Sequence, residues 1–288
     1  MLGADALVLT GSSLGNPPFR ELVSAAAAGG FAGLSLWPAA TWSRARAEGH
    51  ADAELRAMLA DHGLVVNDVD AAIAWVGPGD PGPPYREEPG ERVLFEAADA
   101  LGARSCNVRL VAGSRVTCEP GSAGLLDAAA ETFAGVCDRA ARHGLAATLE
   151  FSIGSAVRDA RTALEIALRA GRANGGILVD TWHCHFGGAS LADLRALPGE
   201  RVRAVQISDV PAAPPADLAH ATRRGRLVPG EGVYDWAGLL GALDAIGSPA
   251  PLTVEVLNDE LAAAHPPREL ARRLGDAVRS VLAGPRTR

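Results

Sequence analysis

The chain has no lysine; all 27 of its basic residues other than histidine are arginine. Schiff-base catalysis needs a lysine amine, so lysine-dependent aldolases and pyridoxal phosphate enzymes are excluded. A Walker-type P-loop is excluded for the same reason. The four cysteines, Cys106, Cys118, Cys137 and Cys184, form no CxxC pair and read as reduced thiols rather than zinc or redox ligands. No apolar stretch is long enough to span a bilayer. Met1-Leu2-Gly3-Ala4-Asp5 has neither a basic region nor a secretory core, so a cytoplasmic protein is expected. Positive charge is in deficit too. A net charge of −7 argues against a nucleic-acid groove, which needs a positive surface.

What remains is an ordinary globular composition, 48% apolar and 21% charged over 288 residues. Short apolar runs alternate with amphipathic, alanine-rich segments. Strands are predicted at Ala6–Leu9, Gly33–Leu36, Val65–Asp68, Ser105–Val108, Ala147–Glu150, Ile177–Asp180, Val202–Ile207 and Leu252–Glu255. Helices are predicted at Phe19–Ala28, Ala51–His62, Glu91–Leu101, Ala123–His143, Ala156–Ala170, Leu191–Leu197, Trp236–Ile246 and Arg268–Leu282. Glycines after His62 and His143 suit helix termination. Eight strand–helix units in this length imply a parallel α/β sheet closed as a (β/α)8 TIM barrel, a single domain over residues 1–284 with a short tail at 285–288. An open doubly wound sheet fits less well, because Thr10-Gly11-Ser12-Ser13-Leu14-Gly15 lacks the phosphate-turn glycine spacing. Two Pro-rich loops, Gly77–Pro89 after strand 3 and Pro211–Pro215 after strand 7, belong to the catalytic face of such a barrel and are candidate lids.

Four predicted strands end on a residue that can ligate a metal: Glu150, Asp180, Gln206 and Glu255. Burying a carboxylate at the end of an apolar run costs several kcal/mol unless it is paired or bound to a cation. On consecutive strands, three carboxylates and an amide share one arc of the barrel mouth. Their oxygens suit a hard divalent ion, Mn²⁺ or Mg²⁺. His183, three residues beyond Asp180, is a ligand or a substrate-facing acid/base, because imidazole exchanges protons near neutral pH. His185 is a weaker substrate contact. In Arg223-Arg224-Gly225-Arg226, Arg226 is the expected clamp for a substrate carboxylate, hydroxyl or phosphate. Asp209 is expected to hydrogen-bond a ligand or an arginine from behind. Trp37 and Trp75 are candidates for an apolar wall, and Asn107 and Arg109 for polar substrate contacts.

At these residues the chain resembles the xylose isomerase-like TIM barrel family, also called the sugar phosphate isomerase/epimerase family. The resemblance covers most of the chain and is carried by Val179-Asp180-Thr181-Trp182-His183, Val205-Gln206-Ile207-Ser208-Asp209, Arg226-Leu227-Val228-Pro229-Gly230-Glu231-Gly232 and Val254-Glu255-Val256-Leu257. It implies a divalent metal (Mn²⁺, Mg²⁺ or Co²⁺, with Zn²⁺ also admitted) on Glu150, Asp180, Gln206 and Glu255, and a His183 that contacts substrate. Many members carry His where this chain has Gln206. A Gln ligand also occurs in members that dehydrate 3-dehydroshikimate, which adds weight to a lyase.

The shared chemistry is removal of an α-proton by Glu150, Glu255 or His183, with the metal stabilising the enediolate. Return of the proton gives an isomerase or epimerase of a small sugar, keto-polyol or inosose, the leading expectation. Loss of a β-hydroxyl gives a dehydratase. An apurinic-site endonuclease shares the barrel but would need a histidine-rich zinc site, and the predicted strands 3, 4 and 7 end near Asp68, Asn107 and Gln206 in an acidic chain. A non-catalytic binding barrel would be expected to have lost carboxylates. The expected partner is a small-molecule substrate, with neither nucleic acid nor membrane; a homodimer is admitted by analogy alone.

Overall fold

The computed structural model describes residues 2–76, 89–112 and 123–285. Residues 77–88, which hold most of the first candidate lid, Cys118, the side chain of Trp75 and residues 286–288 lie outside the described residues. Eight parallel strands form a closed barrel in sequence order: β1 Leu7–Thr10, β2 Gly33–Leu36, β3 Val65–Val76, β4 Ser105–Ala112, β5 Ala146–Glu150, β6 Gly175–Asp180, β7 Val202–Ile207 and β8 Leu252–Val254. Pairing of Leu7 with Leu252 and of Leu9 with Val254 closes it. The single-domain (β/α)8 barrel is as expected.

All but β3 and β4 are strands of three to six residues, and they are largely apolar because helices cover them outside. Helix Ala160–Ala170 shows how. Ala160, Ala163, Ile166, Ala167 and Ala170 are buried on one face. Asp159 caps its start by accepting from Thr162 N (2.8 Å), and Gly171, at φ 65°, closes its end. The predicted start at Ala156 is therefore corrected, because the Asp159 cap fixes the boundary. Helices Phe19–Ala28 and Pro267–Leu282 pack so closely that a Cβ at Gly275 would lie 2.2 Å from the Gly29 carbonyl oxygen. Among the described residues no helix is long and apolar enough to cross a membrane.

Three differences from expectation shape the site. First, β3 and β4 do not stop at Asp68 and Val108 but run to Val76 and Ala112. Their pairing shifts register between Val69 and Ala72, then continues from Ala72↔Val108 to Val76↔Ala112. The polar residues that looked like strand ends lie inside the strands. Second, Thr181–Gly187, where no helix was predicted, is a helix. Third, short helices at Leu218–Arg224 and Asp259–Ala264 follow β7 and β8. Cys106, Cys137 and Cys184 are buried free thiols.

Candidate active site

Register brings the predicted residues to one end of the barrel. Arg109 is paired with Glu150, Glu150 with Leu178, and Asp180 with Gln206, while Glu255 directly follows β8 and donates its backbone N–H to Ile207 O (2.9 Å). Asp180 ends β6 and caps the next helix, Oδ1 accepting from Trp182 N (2.7 Å) and His183 N (3.4 Å). That cap turns His183 back toward the barrel axis. His183 Nε2 lies 3.4 Å from Glu150 Oε1 and 4.0 Å from Asp180 Oδ2. Glu150, Asp180 and His183 each offer a ligand atom within 4.8 Å of the others, so this group can hold a metal ion.

Gln206 and Glu255 continue the arc. Gln206 Nε2 donates to Glu255 Oε1 (3.3 Å) and to Asp70 Oδ2 (3.0 Å). Arg226 is buried with them: Nη1 lies 2.8 Å from Asp180 Oδ2 and 3.1 Å from Glu255 Oε2, and Nε donates to Thr222 O (3.0 Å). The predicted clamp is thus already engaged as an internal counter-ion, and its guanidinium sits 5.8 Å from the Trp182 ring centroid. Among the described residues, the buried atoms Gln206 Oε1, His183 Nδ1 and His183 Nε2 have no hydrogen-bond partner. Buried polar atoms are normally satisfied, so three orphans among three carboxylates fit a cation-binding cluster.

Asp70 was missed by the sequence reading. It projects from the continued part of β3, half-buried, into the same site. Burial and the negative charges of Glu150 and Asp68 push its carboxyl up to about 7. Burial also pushes Glu150 up, but Arg109, whose Nε donates to Glu150 Oε2 (3.1 Å), and the neighbouring His183 ring more than offset it and hold the carboxyl at about 2. In this pair the proton therefore sits on Asp70. Glu255 is raised well above the usual range by burial, against the pull of Arg226.

A cavity of about 710 Å³ opens above these groups. Asp70, Arg109, Glu150, His183, Arg226 and Glu255 line its polar part. Trp37, Ile73, Leu94, Ile153, Leu218 and Leu257 line its apolar part. Trp37 thus stands where an apolar wall was expected. Helix Leu218–Arg224, reached through the Pro211–Pro215 loop, forms one side.

Three sequence expectations are corrected. Asn107 is turned into the barrel: Nδ2 donates to Asp68 Oδ1 (3.2 Å) and Oδ1 accepts from Thr148 Oγ1 (2.6 Å), so it belongs to a buried polar layer below the cavity. His185 is exposed and contacts Phe186 and Tyr234 outside the cavity. Asp209 holds a loop, not a ligand or an arginine. Its carboxylate accepts from Val210 N, Gly230 N, Tyr234 N and Trp236 Nε1, all at 2.7–2.9 Å. The loop wraps so tightly that a Cβ on Gly232 would lie 2.2 Å from Val210 O.

A family model described as a xylose isomerase-like TIM barrel matches residues 23–280. The chain is 34% identical over 148 residues to a 3-dehydroshikimate dehydratase of Pseudomonas aeruginosa, which is 51% of this chain and 23% of that protein. It is 29% identical over 134 residues to an inosose isomerase of Bacillus velezensis, 46% of each chain. The chain therefore spans less than half the length of these relatives. Among solved structures, a 1.8 Å structure of IOLI protein with a bound zinc atom superposes with a TM-score of 0.81 at 18% identity, over 96% of this chain and 98% of that one. At that identity the likeness is one of fold.

Proposed function

The chain belongs to the xylose isomerase-like TIM barrel family, and from that premise we propose that it is a divalent-metal-dependent isomerase or epimerase of a small polyhydroxylated carbonyl compound. One observation carries the reading: Glu150, Asp180 and His183 converge, buried, beneath a cavity, beside a Gln206 oxygen that has no partner. Glu150, Asp180, Gln206 and Glu255 would hold the ion, Mn²⁺ or Mg²⁺ by the hardness of their oxygens. A bound divalent cation would supply a Lewis acid for a carbonyl and its neighbouring hydroxyl.

The remaining groups divide the work. His183, whose ring nitrogens have no hydrogen-bond partner among the described residues, faces the cavity and is the group best placed to take a proton from carbon next to a carbonyl. Arg109 keeps Glu150 ionised. Asp70 holds a proton near neutral pH and can hand it to a substrate hydroxyl or oxygen. Trp37, Leu218 and Leu257 exclude water on the apolar side.

The relatives' names support an enzyme acting beside a carbonyl: one is called an isomerase, another a dehydratase. The match to the dehydratase, together with Gln206, supports a second reading in which the β-hydroxyl leaves after the same proton abstraction. A panel of inososes, ketoses and 3-dehydroshikimate, incubated with Mn²⁺-loaded protein in heavy water, separates the two. An isomerase or epimerase incorporates deuterium without loss of mass as water. A dehydratase loses water and gains ultraviolet absorbance. No exchange and no elimination with any compound would contradict both readings.

A further inference from the structure

A carboxamide ligand poses a problem that a carboxylate does not. Only its oxygen can face a cation, and its nitrogen must be given somewhere to go. In Gln206, Nε2 points at two acceptors, Asp70 Oδ2 at 3.0 Å and Glu255 Oε1 at 3.3 Å, while the buried Oε1 has no hydrogen-bond partner among the described residues. A flip of the amide would turn Oε1 away from the cation position and aim an NH₂ group there.

The two acceptors are not equivalent. Glu255 is itself assigned to the ion and is engaged by Arg226 at 3.1 Å. Asp70 is outside the proposed ligand set. It comes from β3, four strands from β7 and so across the barrel, and reaches the site only because β3 continues beyond Asp68. We propose that Asp70 is a positioning residue for Gln206: it fixes the carboxamide so that Oε1, not Nε2, faces the metal position. This rests on the reading that a divalent cation is held here. On that basis the residues at 70 and 206 form a matched pair. An amide at 206 needs an acceptor at 70, and an acid at 206 needs a donor there.

The test is Mn²⁺ affinity of chelator-stripped full-length protein, followed by calorimetry or by the spin resonance of free Mn²⁺. Asp70→Ala is expected to raise the Kd by about 10–100-fold, the usual cost of losing the partner that orients a ligand. Asp70→Asn keeps an acceptor oxygen for Gln206 and is expected to stay within about threefold of the unmutated protein. Gln206→Glu places a third carboxylate beside Asp70 and Glu255 and should bind weakly; adding Asp70→Asn to it supplies a donor and should recover affinity. That pair of variants reports the coupling even if Asp70→Ala fails to fold. If Asp70→Asn weakens binding as much as Asp70→Ala, Asp70 acts through its charge or as a ligand, and the positioning role is overturned. Unchanged affinity in Asp70→Ala, or the same effect of Asp70→Asn with Gln and with Glu at 206, overturns it too. Failure of the unmutated protein to bind Mn²⁺ would instead overturn the metal reading beneath it.

Discussion

Arg226 Nη1 stands 2.8 Å from Asp180 Oδ2, both side chains buried, and the same nitrogen lies 3.1 Å from Glu255 Oε2. A fixed guanidinium therefore bridges two residues assigned to the cation. It neutralises part of a charge cluster that would otherwise push the strand ends apart. Removing one partner of a buried pair typically costs about 3–5 kcal/mol, because the other charge is left unpaired. Arg226→Met is expected to lose stability of that order in urea titrations with chelator, and saturating Mn²⁺ should return part of it. A loss below about 1 kcal/mol would place Arg226 among weakly coupled surface charges.

Metal should stabilise the fold through the same residues. An ion bound only by the folded protein adds RT ln(1 + [L]/Kd), about 2.7 kcal/mol at a hundredfold excess over Kd. The unmutated protein should show a Tm that rises with Mn²⁺ concentration, and Glu150→Gln and Asp180→Asn should lose most of that rise. Scanning fluorimetry across a metal titration checks it. An equal rise in all three proteins would put the ion elsewhere.

The acids set opposite pH limits. Asp70 is raised from 3.8 to about 7, so the folded protein holds this proton where the unfolded chain has released it. The stability it contributes is complete below the unfolded value and is lost as pH rises through about 7. With chelator present, stability should fall between about pH 4 and about pH 7, and less steeply in Asp70→Asn. Glu150, held at about 2 rather than 4.5, contributes stability that is present above its unfolded value and lost as pH falls toward 2. Arg109→Gln should shrink that contribution, lowering stability near neutral pH and making its loss on acidification shallower. Urea midpoints at a series of pH values test both signs.

Asp209 gathers four donors from Val210, Gly230, Tyr234 and Trp236. Asp209→Ala leaves those donors without their acceptor, at about 1–3 kcal/mol for each one left buried and unsatisfied. Proteolysis within residues 228–236 should accelerate more than global unfolding does. Equal acceleration everywhere would mean that the loop has no stability of its own to lose.

Much of this arrangement was legible in the sequence, and the omissions have physical causes. Glu150, Asp180, Gln206 and Glu255 stood out because each follows a short, mostly apolar run. Asp70 did not. In Asn67-Asp68-Val69-Asp70 the apolar signal breaks where barrel-interior polar residues begin, so β3 reads as finished when eight more residues follow Asp68. Asn107 misled for a related reason: it lies in a polar layer with Asp68 and Thr148 inside the barrel, and sequence does not distinguish a layer from a rim. His183 and His185 share one helix, where two positions differ by about 200° of rotation, so only one can face the cavity. Arg226 stood out in the sequence as a candidate substrate clamp, but its pairing with Asp180 spans 46 positions and depends on the closed barrel.

The most direct measurement is a crystal structure of the protein soaked with Mn²⁺, with the ion located by its anomalous scattering. One strong peak is expected at the barrel mouth, about 2.1 Å from oxygens of Glu150, Asp180, Gln206 and Glu255. Gln206 Nε2 should remain on Asp70. A peak held by Glu150, Asp180 and His183 without oxygens from Gln206 and Glu255, or no peak in this cavity, would contradict the metal assignment.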